Sequence, residues 1–150
     1  MTLDYTTALS RTRAYLMDAG SMIWTDGDLT GCLRLALQVA GLYAGSAYTL
    51  SGLDGAASTS LPAPLEGALI VGAAAYAAGS RAVDRAEAYE LNGESAALDA
   101  WADRQLREWV LLVATYVEQT RLTSLRTLLA SPNGIYAAWG DDFGERSGEK

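Results

Sequence analysis

The sequence has 150 residues, half of them hydrophobic, which suits one domain with a sizeable core and excludes a disordered chain. Eleven basic residues against eighteen acidic ones give a net charge of −7, which argues against equilibrium nucleic-acid binding and against docking on an anionic membrane. Histidine is absent, which removes the commonest general base and metal ligand, and the single Cys32 lies in an apolar helical pattern typical of a small buried side chain.

Two helices are predicted in the first third of the chain. Helical spacing of apolar residues predicts the first over about Asp4–Asp18. The second is predicted to begin after Thr25 as N-cap, because Asp28 three residues on can reach back as in a capping box. Trp24 before the cap and Leu29 after it have the spacing of a hydrophobic staple.

The second helix carries two apolar stripes. Its main face comprises Leu29, Cys32, Leu33, Ala36, Val39, Ala40 and Tyr43. Leu35 and Leu42 lie well off that face. A helix with two apolar stripes must bury both. We therefore expect the second stripe to meet another part of the core or another subunit.

A long loop or small hairpin is predicted to follow, over Ser46–Leu65, because Gly, Ser, Thr and Pro are frequent there. Loops of this length in compact domains are often functional. We expect Ser46–Pro62 to project from the bundle, and the loop residues assigned to contacts are Tyr48, Leu50, Leu53 and Asp54.

Two more helices complete the predicted bundle. The third runs from near Pro64 to about Leu91, and its first half is apolar nearly all round, which indicates a central position. Its apolar run Gly67–Gly79 is too short for a membrane span, which needs about 20 residues. The fourth is predicted over Ser95–Ala130, with Trp101 and Trp109 in the core and a kink or short break near 119–123.

The chain after the fourth helix is predicted to be a separate tail. Pro132 and Gly134 end the helix, and Tyr136, Trp139 and Phe143 stand among acidic residues and glycines. Such a tail is either unstructured or ordered by docking, and its aromatic residues favour docking. The predicted fold is thus an all-α four-helix bundle over residues 1–131, with an extended C-terminal tail over residues 132–150.

No candidate for catalysis emerges from the acidic pairs. Two acids on one helix more often form a solvated face than an acid–base pair, and nothing here positions a nucleophile. Asp99 and Asp103 precede Arg107, which is placed to pair with them. We therefore predict no enzyme, no cofactor, no catalytic residue and no metal site. The pairs are Asp26/Asp28, Asp99/Asp103 and Asp141/Asp142.

The opening third of the chain resembles the start of bacteriophage head-to-tail connector adaptor proteins. Their pattern is Arg-x-x-Leu-x-Asp, a spacer, and then Trp-Ser/Thr-Asp-x-Glu/Asp-Leu leading an alanine-rich helix. The matching residues here are Arg13, Leu16, Asp18, Trp24, Thr25, Asp26, Asp28 and Leu29. The segment Ser60–Ala78, "SLPAPLEGALIVGAAAYAA", resembles the Leu-Pro entry to the third helix of that family.

The resemblance implies a structural virion protein of the neck, made in the bacterial host cytoplasm. Such proteins form a homo-oligomeric ring, usually twelvefold, under the portal. The ring extends the DNA channel and receives a stopper or tail-completion protein, while DNA passes without specific binding and no membrane is involved. Neighbours in the ring would cover Leu35 and Leu42, and the projecting loop would contact a neighbour or the next tail component. The portal would receive the tail through Tyr136, Trp139, Asp141, Asp142 and Phe143.

A second hypothesis is a small all-helical cytoplasmic protein that binds one partner, as a regulator or an inhibitor. Ring assembly separates the two hypotheses, because it is expected only of the adaptor.

Overall fold

The computed structural model describes the backbone of residues 3–88 and 93–130, and the side chains of residues 3–84 and 96–127. Four α-helices follow one another: α1 (Tyr5–Tyr15), α2 (Asp26–Ala44), α3 (Glu66–Ala88) and α4 (Gly93–Ala130). A short 3-10 helix, Ala63–Leu65, leads into α3. These residues contain no β-strand, so the predicted all-α class with four helices is confirmed.

The core is built on the small side chains of α3. Its alanines between positions 73 and 78 are almost completely buried, which confirms the predicted central position of this helix. Alanines let neighbouring helices approach closely, because no long side chain holds them apart. The leucines of α2 that fill the space against this surface include Leu29 and Leu33, both with no exposed area.

The first part of α4 contributes large side chains to the core of the first compact unit, which ends at Tyr116. Trp109 is 1% exposed, and its ring meets that of Tyr76 edge-on, with centroids 5.7 Å apart. The Tyr15 hydroxyl donates to Gln105 Oε1 over 2.7 Å, which gives a buried polar group its partner. Trp101 lies half-buried with its ring 6.2 Å from that of Tyr15, at the margin of the predicted core.

The second compact unit begins at Val117, within α4. The described side chains at 118–127 are all exposed. The hydroxyls of Thr123 and Ser124 donate to carbonyls four residues earlier, and the helix runs through 119–123 without the short break that the sequence suggested. The predicted division between residues 131 and 132 adjoins residues outside the described part of the chain and stays a prediction.

The segment 46–62 does not project from the bundle, contrary to the prediction. Leu50 and Leu53 are buried, so these two side chains are unavailable to a neighbouring subunit in this conformation. Exposing leucines to water is unfavourable, and packing them inside removes about 2 kcal/mol of that cost for each. Of the other two residues assigned to a contact, Tyr48 is half-buried and Asp54 is exposed.

Hydrogen bonds hold this segment against the first two helices. The Tyr5 N–H donates to the Ser51 carbonyl over 2.9 Å, and the Thr59 hydroxyl donates to the Leu3 carbonyl over 2.6 Å. Arg34 of α2 donates through Nε and Nη2 to the two carboxylate oxygens of Asp54. Asp54 has a left-handed backbone, with φ of 52°, and the Ser60 N–H donates to the Thr49 carbonyl over 3.0 Å, so the predicted loop folds back on itself without forming β-strands.

Candidate functional site

Three residues of the adaptor-like motif converge around the buried side chain of a fourth, Arg13. Arg13, at the end of α1, is 7% exposed. Its Nη1 donates to Asp18 Oδ2 over 3.2 Å and to the Trp24 carbonyl over 3.0 Å, while Nη2 donates to a carboxylate oxygen of Asp26. The planar guanidinium presents several donors in fixed directions, so a single arginine can join three groups from a turn and a helix start. We call this arrangement the arginine joint.

Asp18 organises the turn that the arginine joint closes. Its carboxylate accepts the backbone N–H groups of Met22 (2.8 Å), Ile23 (3.2 Å) and Trp24 (3.1 Å). Burial alone would raise the pKa of Asp18, but these three donors and the Arg13 charge outweigh it, and the pKa lies below its ordinary value. The acid is therefore held ionised as a structural anion.

The start of α2 forms as the sequence predicts. The Thr25 hydroxyl accepts the Asp28 N–H over 3.2 Å, and Asp28 Oδ2 accepts the Thr25 N–H over 3.0 Å, which completes a capping box. Trp24 packs with Leu29 in one buried cluster, which confirms the staple.

Trp24 also joins α2 to the centre of the bundle. It packs against Ala77 of α3, and its indole Nε1 donates to the Ala77 carbonyl over 3.2 Å. The motif is therefore a joint between α1, α2 and α3. Local spacing in the sequence predicted only the capped helix start at Thr25. The contact with α3 could not be predicted in this way, because Ala77 lies 53 positions after Trp24.

The second stripe of α2 is open to solvent. Leu35 is 42% exposed and Leu42 is 80% exposed, so both lie off the packed face as expected, and their cover by another subunit stays a prediction. Beside Leu42 lies a depression of about 560 Å³, which Gln38 and Tyr48 also line.

Beside Leu35 lies a cleft of about 340 Å³, which we call the α2–α3 groove. Arg81 donates to the Ile23 carbonyl over 3.2 Å, and its guanidinium lies 5.8 Å from the centre of the Trp24 ring. Cys32 lines the groove half-buried, and burial raises the pKa of its thiol, which makes it a weak nucleophile. The groove is lined chiefly by Ile23, Leu35, Tyr76, Arg81, Asp28 and Asp84.

A second apolar face, which the sequence analysis missed, lies on α4. We call it the α4 ridge, and it comprises Leu106, Val110, Leu111 and Ala114. Leu111 is 67% exposed, and the ridge is flanked by Asp103 and Arg107, paired over 3.1 Å. The feature of the sequence that could have predicted this face is Leu111, because it is an apolar residue that lies off the helix face carrying Trp109.

The described residues hold no cluster of three or more His, Cys, Asp or Glu side chains able to bind a metal ion. Within the same part of the chain, none of the helices combines the length and apolar character that crossing a membrane requires. The tail residues assigned to the portal, Tyr136, Trp139, Asp141, Asp142 and Phe143, lie outside the described residues.

Comparison of the chain with protein-family models, with curated proteins and with solved structures finds no match.

Proposed function

We propose that this chain is a head-to-tail connector adaptor of a bacteriophage. It would form a homo-oligomeric ring under the portal, extend the DNA channel and receive the stopper or the tail. One observation carries the proposal: four of the eight residues that resemble the adaptor motif, Arg13, Asp18, Trp24 and Asp26, meet in the arginine joint. Arg13 contacts both halves of the motif, through Asp18 and Asp26.

The exposed apolar faces also support an assembly. Leu42 and Leu111 are more than half exposed, and they belong to two different helices. Leu42 lines a depression with Leu37 and Tyr48, Leu111 lines another with Leu106 and Val110, and apolar patches of this kind are typical of protein–protein contacts. A ring supplies two such contacts for every copy, one on each side.

The charge of the chain suits a channel that DNA passes through. With a net charge of −7, the chain lacks the excess of cations that would hold phosphates. A lumen lined with acidic residues would repel DNA and allow it to slide. Channel function therefore requires no specific DNA-binding residue.

The tail would dock on the portal through its aromatic residues. Buried aromatic residues contribute much of the binding free energy in many interfaces. Truncation after Ser131 should therefore leave the helical content of the isolated protein nearly intact, as measured by circular dichroism, while abolishing its retention on portal-bearing capsids. The double change Trp139→Ala and Phe143→Ala should weaken retention in the same way.

The decisive experiment combines imaging with that retention assay. The purified chain should form closed rings by electron microscopy, and the full chain should co-sediment with capsids that carry a portal but not with capsids that lack one. Equal binding to both kinds of capsid would contradict the adaptor function, and equal retention of the truncated and full chains would contradict the role of the tail.

The alternative is a monomeric binding module, and the α2–α3 groove is the observation in its favour. The groove is formed within one chain and combines apolar walls with Arg81 and Asp84. This function would be supported, in place of the adaptor, if the chain remained monomeric at all accessible concentrations and did not co-sediment with capsids.

A further inference from the structure

The α4 ridge faces away from the core of its own chain. Leu111 is two positions from Trp109, and about 100° of rotation per residue places them on nearly opposite sides of α4. Trp109 is buried against α3, so Leu111 points outward. The ridge and the α2–α3 groove are therefore separate surfaces, and one copy does not bring them together.

Both surfaces are apolar, and a row of side chains on one can pack against the helices that form the other. Along the ridge, Leu106, Val110 and Ala114 follow one another at four-residue spacing beside a shallow depression, and rows at this spacing pack between the side-chain rows of a neighbouring helix. The groove is a cleft of about 340 Å³ beside Leu35, with Tyr76 and Ile23 among its apolar walls.

The two surfaces also carry charges that can pair. The ridge has Asp103 and Arg107 one helical turn apart, and the groove has Arg81 and Asp84 three positions apart on α3. When the ridge lies in the groove, Asp103 can face Arg81 while Arg107 faces Asp84. The opposite orientation would place like charges together, which disfavours it.

We propose that the α4 ridge of one copy packs into the α2–α3 groove of the next copy. A contact between two different surfaces is heterologous, and repeated head to tail it produces a closed ring or an open chain of subunits. This inference rests on the proposed ring and assigns its subunit interface. It also assigns Leu35 to that interface, and it leaves Leu42 to the edge of the contact or to another partner.

Cross-linking between two introduced cysteines tests the contact. Because Cys32 is the sole natural cysteine, a Cys32→Ala background is free of thiols. We would add Leu35→Cys and Leu111→Cys together and treat the protein with a short bis-maleimide reagent. The expected result is a series of dimers, trimers and higher oligomers on denaturing gels. Each single-cysteine protein is a control and should stay monomeric.

Two cross-linking results would overturn the inference. Absence of a series in the double-cysteine protein would show that the two surfaces do not meet. Dimers of the protein with Leu111→Cys alone would show that the ridge meets its own copy in a symmetric pair. Circular dichroism establishes that each variant is folded before it is compared.

A matched pair of charge insertions gives an independent measurement. Leu111→Arg places a cation on the ridge, whereas Leu112→Arg places one at the adjacent exposed position, turned about 100° around the helix. Leu111→Arg should reduce the oligomeric fraction in analytical ultracentrifugation at least tenfold, and Leu112→Arg should change it less than twofold. Equal effects of the two changes would contradict the ridge as the contact.

The interface and the adaptor function fail in different ways. Rings seen by electron microscopy without the 35–111 cross-link would overturn this interface and leave the ring in place. A cross-linked series from a protein that portal-bearing capsids do not retain would support the interface and contradict the adaptor function.

Discussion

The indole of Trp109 occupies the space that a side chain at Gly72 would need. A β-carbon built at position 72 lies 2.7 Å from both Cε2 and Nε1 of that ring. Among the described residues, Trp109 Nε1 is also buried without a hydrogen-bond partner, which costs about 1–3 kcal/mol. The close approach of the Trp109 ring to the backbone of Gly72 therefore sets the distance between α3 and α4 where these two residues meet.

Substitution of Gly72 by alanine should destabilise the fold. The new methyl group would force the Trp109 ring to move, and overpacking of this kind costs about 1–3 kcal/mol. Gly67→Ala in the same helix is the matched control, because a β-carbon there meets nothing within 4 Å. The control should gain up to about 1 kcal/mol from helix propensity. Urea unfolding measures the stability of both variants. Equal shifts of the unfolding midpoint in the two would contradict the close contact between Gly72 and Trp109.

Loss of the Arg13 side chain should open the arginine joint. Arg13→Ala leaves the buried Asp18 carboxylate without its cation, and breaking a buried pair costs about 3 kcal/mol. Arg11→Ala, at an exposed position of the same helix, should change the free energy of unfolding by less than about 0.5 kcal/mol. If thermal unfolding shows a similar loss of stability for both variants, Arg13 does not stabilise the turn between α1 and α2.

Asp18 should make the fold sensitive to acid. Because its pKa is lowered on folding, its stabilising effect is complete above the ordinary aspartate value of about 4 and is lost as the pH falls through the folded-state value. The difference in urea midpoint between the native protein and Asp18→Asn should therefore be large at pH 6 and smaller at pH 3. A difference of the same size at both values would exclude Asp18 as a source of acid sensitivity.

The segment between α2 and α3 should tolerate changes at its surface but not at its buried leucines. Leu53→Ala removes a buried side chain and should cost about 3 kcal/mol. Asp54→Asn at the neighbouring position removes the charge from the exposed pair with Arg34, and asparagine tolerates the left-handed backbone there, so its effect should be small. Chemical denaturation compares the free energies of unfolding of the two variants. No loss of stability in Leu53→Ala would support the prediction that this segment projects from the bundle.

Local hydrogen bonding explains which helix starts were predictable. The capping box joins Thr25 to Asp28, and the staple joins Trp24 to Leu29, so both lie within one or two turns and were predicted in full. The central position of α3 was also predictable, because an element that is apolar all round has no face for solvent. The position of Leu35 and Leu42 off the packed face followed from helical periodicity, whereas their exposure in the single chain did not.

Contacts between distant residues decided the rest. The loop that carries the buried Leu50 and Leu53 is bonded to Leu3 and Tyr5 from far along the chain, whereas its composition suggested an exposed segment. The arginine joint needs Arg13 to meet Trp24 and Asp26 across a turn, and Gly72 needs Trp109 from another helix. The sequence by itself thus determined the helices, their caps and their apolar stripes, because these arise from neighbours along the chain. Only the tertiary structure decided which distant polar groups pair, which loop is buried and where two helices approach most closely, because those depend on side chains brought together from far along the sequence.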